Sequence, residues 1–294
     1  MSARDQLLVV IDPVARRTDG ESVRIAKDVL GAAASVRVCL PDGPEDFAKA
    51  LARRGARRPV VVGDDRALIR AVGVLHRERE LSSCALSVVP VGATQVLTRA
   101  LGVPSGAVAA ARAVLEGVER RLDLLVDDRD GVVLGELRIP PVCGVGSGSG
   151  VGASSGAGAS GGAPDGPAGA EGHRPWLRSC QSFVRTLASR PSRVASVPGP
   201  APARLRVEAD GVLVVDLDQP VEGVFLTPGD DGYAEVEVRR SSVGAEAAAL
   251  RVRARTITVS GSDFRYRADA VVAGPVRTRT WTVRPGAWGL TLPK

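Results

Sequence analysis

Four short apolar runs near the start of the chain limit what it can fold into. They are Leu7–Ile11, Val36–Leu40, Val60–Gly63 and Leu86–Pro90. Between them lie Glu21–Leu30, Asp46–Arg53 and Ala67–Glu78, and after them Ala107–Leu115, each with apolar residues at helical spacing. A run that is apolar at every position needs cover on both faces, and strands alternating with helices supply it as a parallel sheet between two helical layers. In such sheets ligands gather at the carboxyl ends of the strands. Asp12, Gly63 and Gly92 fall at three such ends.

Past residue 120 the pattern changes. Leu122–Val126 and Val132–Ile139 flank Asp128-Arg129-Asp130-Gly131, an Asp-Gly turn that predicts a hairpin. The tract Gly144–Gly172 is almost wholly Gly, Ala and Ser, a composition that cannot bury a core and is expected to stay unstructured. Trp176, Cys180, Phe183, Val184 and Leu187 have the spacing of one amphipathic helix. From Leu205 the apolar period becomes two, through Val207, Val212, Val214, Val236, Val238, Val252, Ile257 and Val259, which predicts an antiparallel sandwich. The expected organisation is an α/β domain over 1–120, a β-rich domain over 121–284 that contains the tract 144–172, and a last strand over 285–294 returning to the first domain.

Composition excludes several classes. Aromatics are 3% of 294 residues, so Val, Leu and Ala must build the cores. No apolar run reaches the eighteen or so residues a membrane span needs, and the first residues lack a basic region followed by an apolar core, so no secretory signal is expected. Cys39, Cys84, Cys143 and Cys180 form no C-x-x-C pair, which favours reduced thiols over zinc or disulfides. His76 and His173 are isolated, and no Ser-His-Asp set or P-loop occurs. A net charge of +6 suits an anionic lipid surface, or else a solvated Arg-rich exterior. Nucleic acid is not expected, because aromatic and basic residues do not interleave.

Five motif sites then occur in order. Leu7–Ile11 ends in Asp12-Pro13-Val14-Ala15. Pro59–Val62 leads into Gly63-Asp64-Asp65-Arg66-Ala67-Leu68. Pro90 to Pro104 keeps a frame of Pro90, Gly92, Arg99, Leu101, Gly102 and Pro104. Thr227-Pro228-Gly229-Asp230-Asp231-Gly232-Tyr233 and Tyr266-Arg267-Ala268-Asp269-Ala270-Val271 follow. The ordered set resembles the diacylglycerol kinase-like lipid kinases, whose patterns run N-P-x-S/A-G, G-G-D-G-T-L, P-L-G-T-G-N-D-F-A-R-x-L-G-I-P, A-P-x-A-x-x-D-D-G-Y/L and x-x-x-D-G-E. The resemblance implies a phosphofructokinase- or NAD kinase-like doubly wound domain followed by an antiparallel β-sandwich. It also implies ATP and magnesium as cofactors.

By the same resemblance Asp269 would be the base for a lipid hydroxyl, with Asp65 as the second catalytic carboxylate. Asp12, Gly63, Asp64, Arg66, Gly92, Thr94 and Gln95 would meet the nucleotide, and Asp231 would hold the metal. Much of the polar core is replaced: Asp64 and Arg66 stand for glycines, Ala67 and Ala93 for threonines, Thr94 for a glycine, Gln95 and Val96 for Asn and Asp, and Ala270-Val271 for Gly-Glu. Phosphoryl transfer needs backbone N–H groups on the phosphates, cations and a positioned base. A carboxylate at Asp64 would repel phosphate, although Arg66 could offset it. A plainer reading has Asp64 and Asp65 capping one helix and Thr94 another.

The expected function is a homologue with weak or lost ATP binding, a pseudoenzyme that acts in binding or regulation, cytoplasmic or at the inner membrane face. Its rivals are an active ATP-dependent kinase of a lipid hydroxyl such as that of diacylglycerol, a NAD kinase-like enzyme, and a basic nucleic-acid binder.

Overall fold

A computed structural model describes residues 6–141, 202–241 and 249–294, all within one compact unit. The expectations for the Gly/Ala/Ser tract and for the helix at 176–187 lie outside the described residues. In the first part the elements run β1 (Gln6–Ile11), α1 (Pro13–Thr18), α2 (Gly20–Ala33), β2 (Ser35–Cys39), α3 (Pro44–Ala52), β3 (Arg58–Gly63), α4 (Asp65–Arg77), β4 (Ala85–Pro90), α5 (Val96–Ala100) and α6 (Ala107–Glu116). The strands pair in parallel in the order β2-β1-β3-β4.

Their side chains alternate between two cores, as period two demands. Leu8, Val10, Val61, Leu86 and Val88 meet Phe47, Leu51, Leu68 and Leu75 of α3 and α4. Leu7, Val9, Ile11, Val60, Val62 and Val89 meet Val23, Ala26 and Leu30 of α2 and Ala110, Ala111 and Val114 of α6. Full burial of each such side chain is worth roughly 1.5–3 kcal/mol.

The second part is all strand: β5 (Val118–Asp127), β6 (Val132–Val133), β7 (Leu137–Ile139), β8 (Ala203–Ala209), β9 (Val212–Val215), β10 (Pro220–Pro228), β11 (Ala234–Arg240), β12 (Leu250–Ala254), β13 (Thr256–Ala268) and β14 (Val271–Leu292). The path β12-β11-β10-β7-β13-β14 runs into β4 and so into the parallel strands. The join is β14, 22 residues long. It pairs antiparallel with β13 and β5, then parallel with β4 at Gly289↔Ala85 and Leu290↔Leu86. A buried hydrogen bond from Ser87 Oγ to Thr291 Oγ1, 2.9 Å, pins this contact. Trp281 and Trp288 are fully buried, the first edge-on to Tyr266 at 5.3 Å between ring centroids. The fold is therefore mixed α/β with much strand. Among the described residues, no helix is long and apolar enough to cross a membrane.

Several local expectations change. The hairpin after Asp128–Gly131 is only two residues deep on its second side, because Leu134–Glu136 leaves the ladder before β7 begins. Helix α1 and strand β10 have no counterpart in the sequence reading, and the helix read as starting at Thr94 is α5, capped otherwise. His76, isolated in the sequence, is half-buried in the last turn of α4 and lies 3.6 Å from Asp130.

Candidate functional site

A cleft of about 610 Å³ opens where α5, the Leu134–Arg138 segment, the end of β10 and the β13–β14 turn converge. Val96, Leu97, Ala100, Leu101, Leu134, Pro228 and Ala270 give it an apolar lining. Asp65, Thr94, Thr227, Arg138, Arg267, Glu136 and Asp269 supply its polar groups. Of the residues expected at a site, the structure brings Asp65, Thr94 and Asp269 together here. Asp12, Gly63, Asp64, Arg66, Gly92, Gln95 and Asp231 are not in this lining.

Asp269 sits at the β13–β14 turn with φ +49°, a conformation an Asp tolerates better than most residues. Its Oδ2 accepts the Leu134 N–H at 2.8 Å, and its Oδ1 accepts those of Gly135 at 2.8 Å and Glu136 at 2.9 Å. Its own N–H donates to Glu136 O at 2.7 Å. Asp269 thus stitches the turn to a loop more than 130 residues earlier in the chain. Gly135 is small of necessity, since a Cβ there would stand 3.1 Å from Asp269 Oδ1 and 2.7 Å from Leu97 Cδ1. Burial pushes the Asp269 carboxyl above the ordinary aspartate range, and nearby Asp65 adds to the rise; the three backbone N–H groups oppose it.

Asp65 is buried to 2% exposure and caps a helix other than its own. It accepts the N–H groups of Leu97 and Thr98, each at 2.9 Å, at the start of α5, while its own N–H donates to Thr94 O at 2.9 Å. Residue 95 begins α5 with no side-chain cap, so Asp65 does what Thr94 was expected to do. The Gln95 side chain turns away and donates to Gly92 O at 2.9 Å.

The strand ends behind the cleft are filled from within the chain. Asp12, only 3% exposed, caps α1 by accepting the Val14 N–H at 2.8 Å and is ion-paired with Arg70 at 2.7 Å. Asp64 caps α4, accepting the N–H groups of Arg66 at 3.0 Å and Ala67 at 3.2 Å. Arg66 is exposed. Gly63 is required by packing, because a Cβ there would lie 2.6 Å from Ala67 Cβ and 3.0 Å from Asp12 Cβ. Gly92 has φ +122°, and a Cβ on it would meet Asp64 Cβ at 3.2 Å. Donors that phosphate oxygens would take at these helix starts are already bonded to carboxylates, so nucleotide phosphates do not fit them as they stand. At the magnesium position, Asp231 is half-exposed and ion-paired with Arg253, whose guanidinium also lies 5.1 Å from the Tyr233 ring centroid. A guanidinium on that carboxylate competes with a divalent cation. Among the described residues no group of three or more His, Cys, Asp or Glu could hold a metal.

Sequence reasoning missed Arg138, Arg267 and the Leu134–Glu136 N–H groups. It also missed Asp123, buried to 6%, which accepts the N–H groups of Gly232 and Gly286 at 2.7 Å each. Gly135 was the only signal in the sequence for the loop around Asp269, and Gly232 at φ +85° the only one for Asp123.

Comparison with known proteins agrees with the motif order. Residues 6–126 match the family model for the diacylglycerol kinase catalytic domain. Two crystal structures from Bacillus anthracis str. Sterne share the fold. One, whose assignment as a diacylglycerol kinase is provisional, is 14% identical, with a TM-score of 0.66 over 98% of this chain and 97% of its own. The other, of a diacylglycerol kinase, is 13% identical with a TM-score of 0.63 over the same shares. No curated protein matches the chain. Residues 6–126 are thus similar to the diacylglycerol kinase catalytic domain in motif order and in family match, and the whole chain shares the fold of these two structures.

Proposed function

We infer that the protein is a lipid kinase homologue impaired in phosphoryl transfer, which acts by binding an amphipathic lipid in the cleft. One observation carries this reading: the helix-start donors at α1 and α4 are bonded to Asp12 and Asp64 rather than left open for phosphate. A phosphate that enters must displace these carboxylates from the same N–H groups and meets their negative charge at close range. Asp269, with three backbone N–H groups on its carboxylate, serves to hold the cleft wall. A base must release those bonds or work through its remaining lone pairs. In this reading residues 1–120 are a doubly wound nucleotide-binding-type domain, 121–284 a sandwich-like lipid-side domain, and 285–294 the strand returning to the first. ATP and magnesium bind weakly or not at all, and the natural surface is an anionic membrane face.

The second reading is an active ATP-dependent kinase of a lipid hydroxyl. It is favoured by two carboxylates, Asp65 and Asp269, lining one apolar cleft. The test is paired: calorimetry of ATP with and without magnesium, and transfer of labelled phosphate to diacylglycerol. Weak or absent ATP binding with no transfer supports impairment. Tight ATP binding with transfer that falls on Asp269→Asn supports the active kinase.

A further inference from the structure

The two banks of the cleft differ in chemistry. On the α5 bank, Val96, Ala100 and Leu101 form an apolar wall, and Leu134 and Pro228 continue it. Ala100 lies one turn after Val96 on the same helix face, and its single methyl leaves a trough there. On the strand bank stand Arg138 of β7 and Arg267 of β13. They are directly opposite each other in the antiparallel ladder, so their side chains rise as neighbours from one face of the sheet. Like charges so placed repel. Arg138 has a carboxylate to offset this, since its Nε donates to the exposed Glu136 at 2.9 Å. Arg267 does not. Its Nε donates to the Asp269 carbonyl at 3.0 Å, and among the described residues no carboxylate meets its guanidinium. The buried acids of the cleft, Asp65 and Asp269, are bonded to backbone N–H groups instead.

We propose that the cleft holds a single-chain lipid acid, with its tail along the α5 wall and its carboxylate between Arg138 and Arg267. The proposal rests on the reading of the cleft as a lipid site and names the class of lipid. A guanidinium fork matches the two oxygens of a carboxylate, and an anion between the two arginines removes their repulsion. The head carries one charge rather than two. Asp65, Asp269 and Glu136 stand in the same lining and oppose a phosphate dianion more than a carboxylate. Volume sets the number of tails. If each methylene takes about the 30 Å³ share of a water molecule, a tail of about sixteen carbons needs about 480 Å³ and two such tails about 960 Å³. At about 610 Å³ the cleft withdraws one such tail from water and leaves a second outside.

The test is calorimetry of the full chain, without nucleotide or vesicles, against soluble monomeric probes: laurate, monolauroylglycerol, lauroyl lysophosphatidate and dioctanoylglycerol. Laurate is expected to bind one-to-one and about tenfold or more tighter than each of the others. Arg138→Gln with Arg267→Gln should weaken laurate about tenfold or more and leave monolauroylglycerol as it was. Arg267→Lys keeps the charge without the fork and should fall between. Ala100→Phe, which fills the trough, should weaken laurate and monolauroylglycerol together. Arg265→Gln, exposed and outside the lining, should bind as the parent does. Thermal melts separate misfolding from lost binding, and Arg267→Lys carries the test if the double variant does not fold. Laurate bound no tighter than monolauroylglycerol would overturn the proposal. So would tighter binding of the lysophosphatidate, or an equal loss of both one-chain ligands in the double Gln variant. Neutral lipid bound with laurate excluded leaves the lipid-site reading standing while this one fails; no binding of any probe removes both. Tight ATP binding would overturn the impaired-kinase reading without touching the laurate result.

Discussion

Asp65 and Asp269 line the same cleft from different halves of the chain, and each is bonded to backbone N–H groups that begin or bound one of its walls. Asp65 fixes α5 and Asp269 fixes the Leu134–Glu136 loop. Both act first as struts, and any catalytic part they play has to be compatible with that. The Asp65 charge also helps to raise the pKa of Asp269, after burial.

Replacing Asp65 with Ala removes the acceptor for two buried N–H groups and uncaps α5, a helix of five residues with no cap of its own. The expected loss is about 2–4 kcal/mol from two unmatched donors, read as a lower urea midpoint. Asp65→Asn keeps one carbonyl oxygen and should recover part of it. A stability equal to the parent in both variants would show that α5 is held by packing alone.

Asp269→Asn separates charge from hydrogen bonding. The amide oxygen can keep two of the three N–H donors, so the loss at neutral pH should be about 1–2 kcal/mol. The pH dependence carries a definite sign. The folded pKa of Asp269 is raised, so the folded state holds its proton more tightly than the unfolded chain does. The parent therefore gains stability relative to the variant as pH falls towards about 4, and gives it up as pH rises through the folded pKa. Chemical denaturation of both proteins from acid to neutral pH should show the difference between them shrinking with rising pH. A difference that grows with pH would mean that the three N–H bonds outweigh burial.

Arg70→Ala would leave Asp12 buried at 3% exposure with only the Val14 N–H as partner. Removing one partner of a buried pair costs about 3–5 kcal/mol, discounted here because the Arg70 side chain is itself 34% exposed; about 1–3 kcal/mol is expected. Asp12→Asn, which removes the charge as well, should rescue much of it in the double variant. A double variant no more stable than Arg70→Ala alone would show that the guanidinium acts by packing on Phe47, 5.5 Å from the ring centroid.

The fold was legible where physics is local. Strands β1, β3 and β4 are apolar at nearly every position, and their bounds match the sequence reading to within two residues. α2, α3, α4 and α6 are long enough to show their periodicity. A helix start near Thr94 was legible, but five residues give no period, and the cap of α5 comes from Asp65, 32 and 33 positions earlier. The role of Asp269 was equally hidden, since its partners lie 133 to 135 positions away. Capping by Asp64, by contrast, is a contact over two or three residues and could be read from spacing alone. What sequence located well was motif positions at strand ends; what it could not show is which of their donors the chain itself had already taken.

That last point makes Asp64 the most informative position to change. Asp64→Gly frees the N–H groups of Arg66 and Ala67 at the start of α4 and removes a carboxylate from where phosphate would sit. The backbone there is extended, with φ −86°, which glycine adopts freely. Exchange of an Asp cap for Gly costs only a few tenths of a kcal/mol, so the fold should survive. Arg66→Gly in addition opens the turn further but gives up a cation that could meet phosphate, so the single variant should bind at least as well as the double. Ala67→Thr, which would restore the family hydroxyl, is a poor choice. Ala67 is fully buried, and its Cβ stands where a Cβ on Gly63 would meet it at 2.6 Å; extra atoms in such a place cost about 1–3 kcal/mol. Two released donors facing a charged phosphate, and one repulsion removed, should together tighten ATP binding by about 1–3 kcal/mol, or roughly five- to 150-fold. Transfer of phosphate to diacylglycerol should stay near background, because Asp269 remains tied to three N–H groups. Calorimetry and labelled transfer on the same preparations decide it. ATP affinity unchanged in Asp64→Gly would mean that the carboxylate is not what keeps nucleotide out, and a parent that already binds ATP tightly would remove the premise.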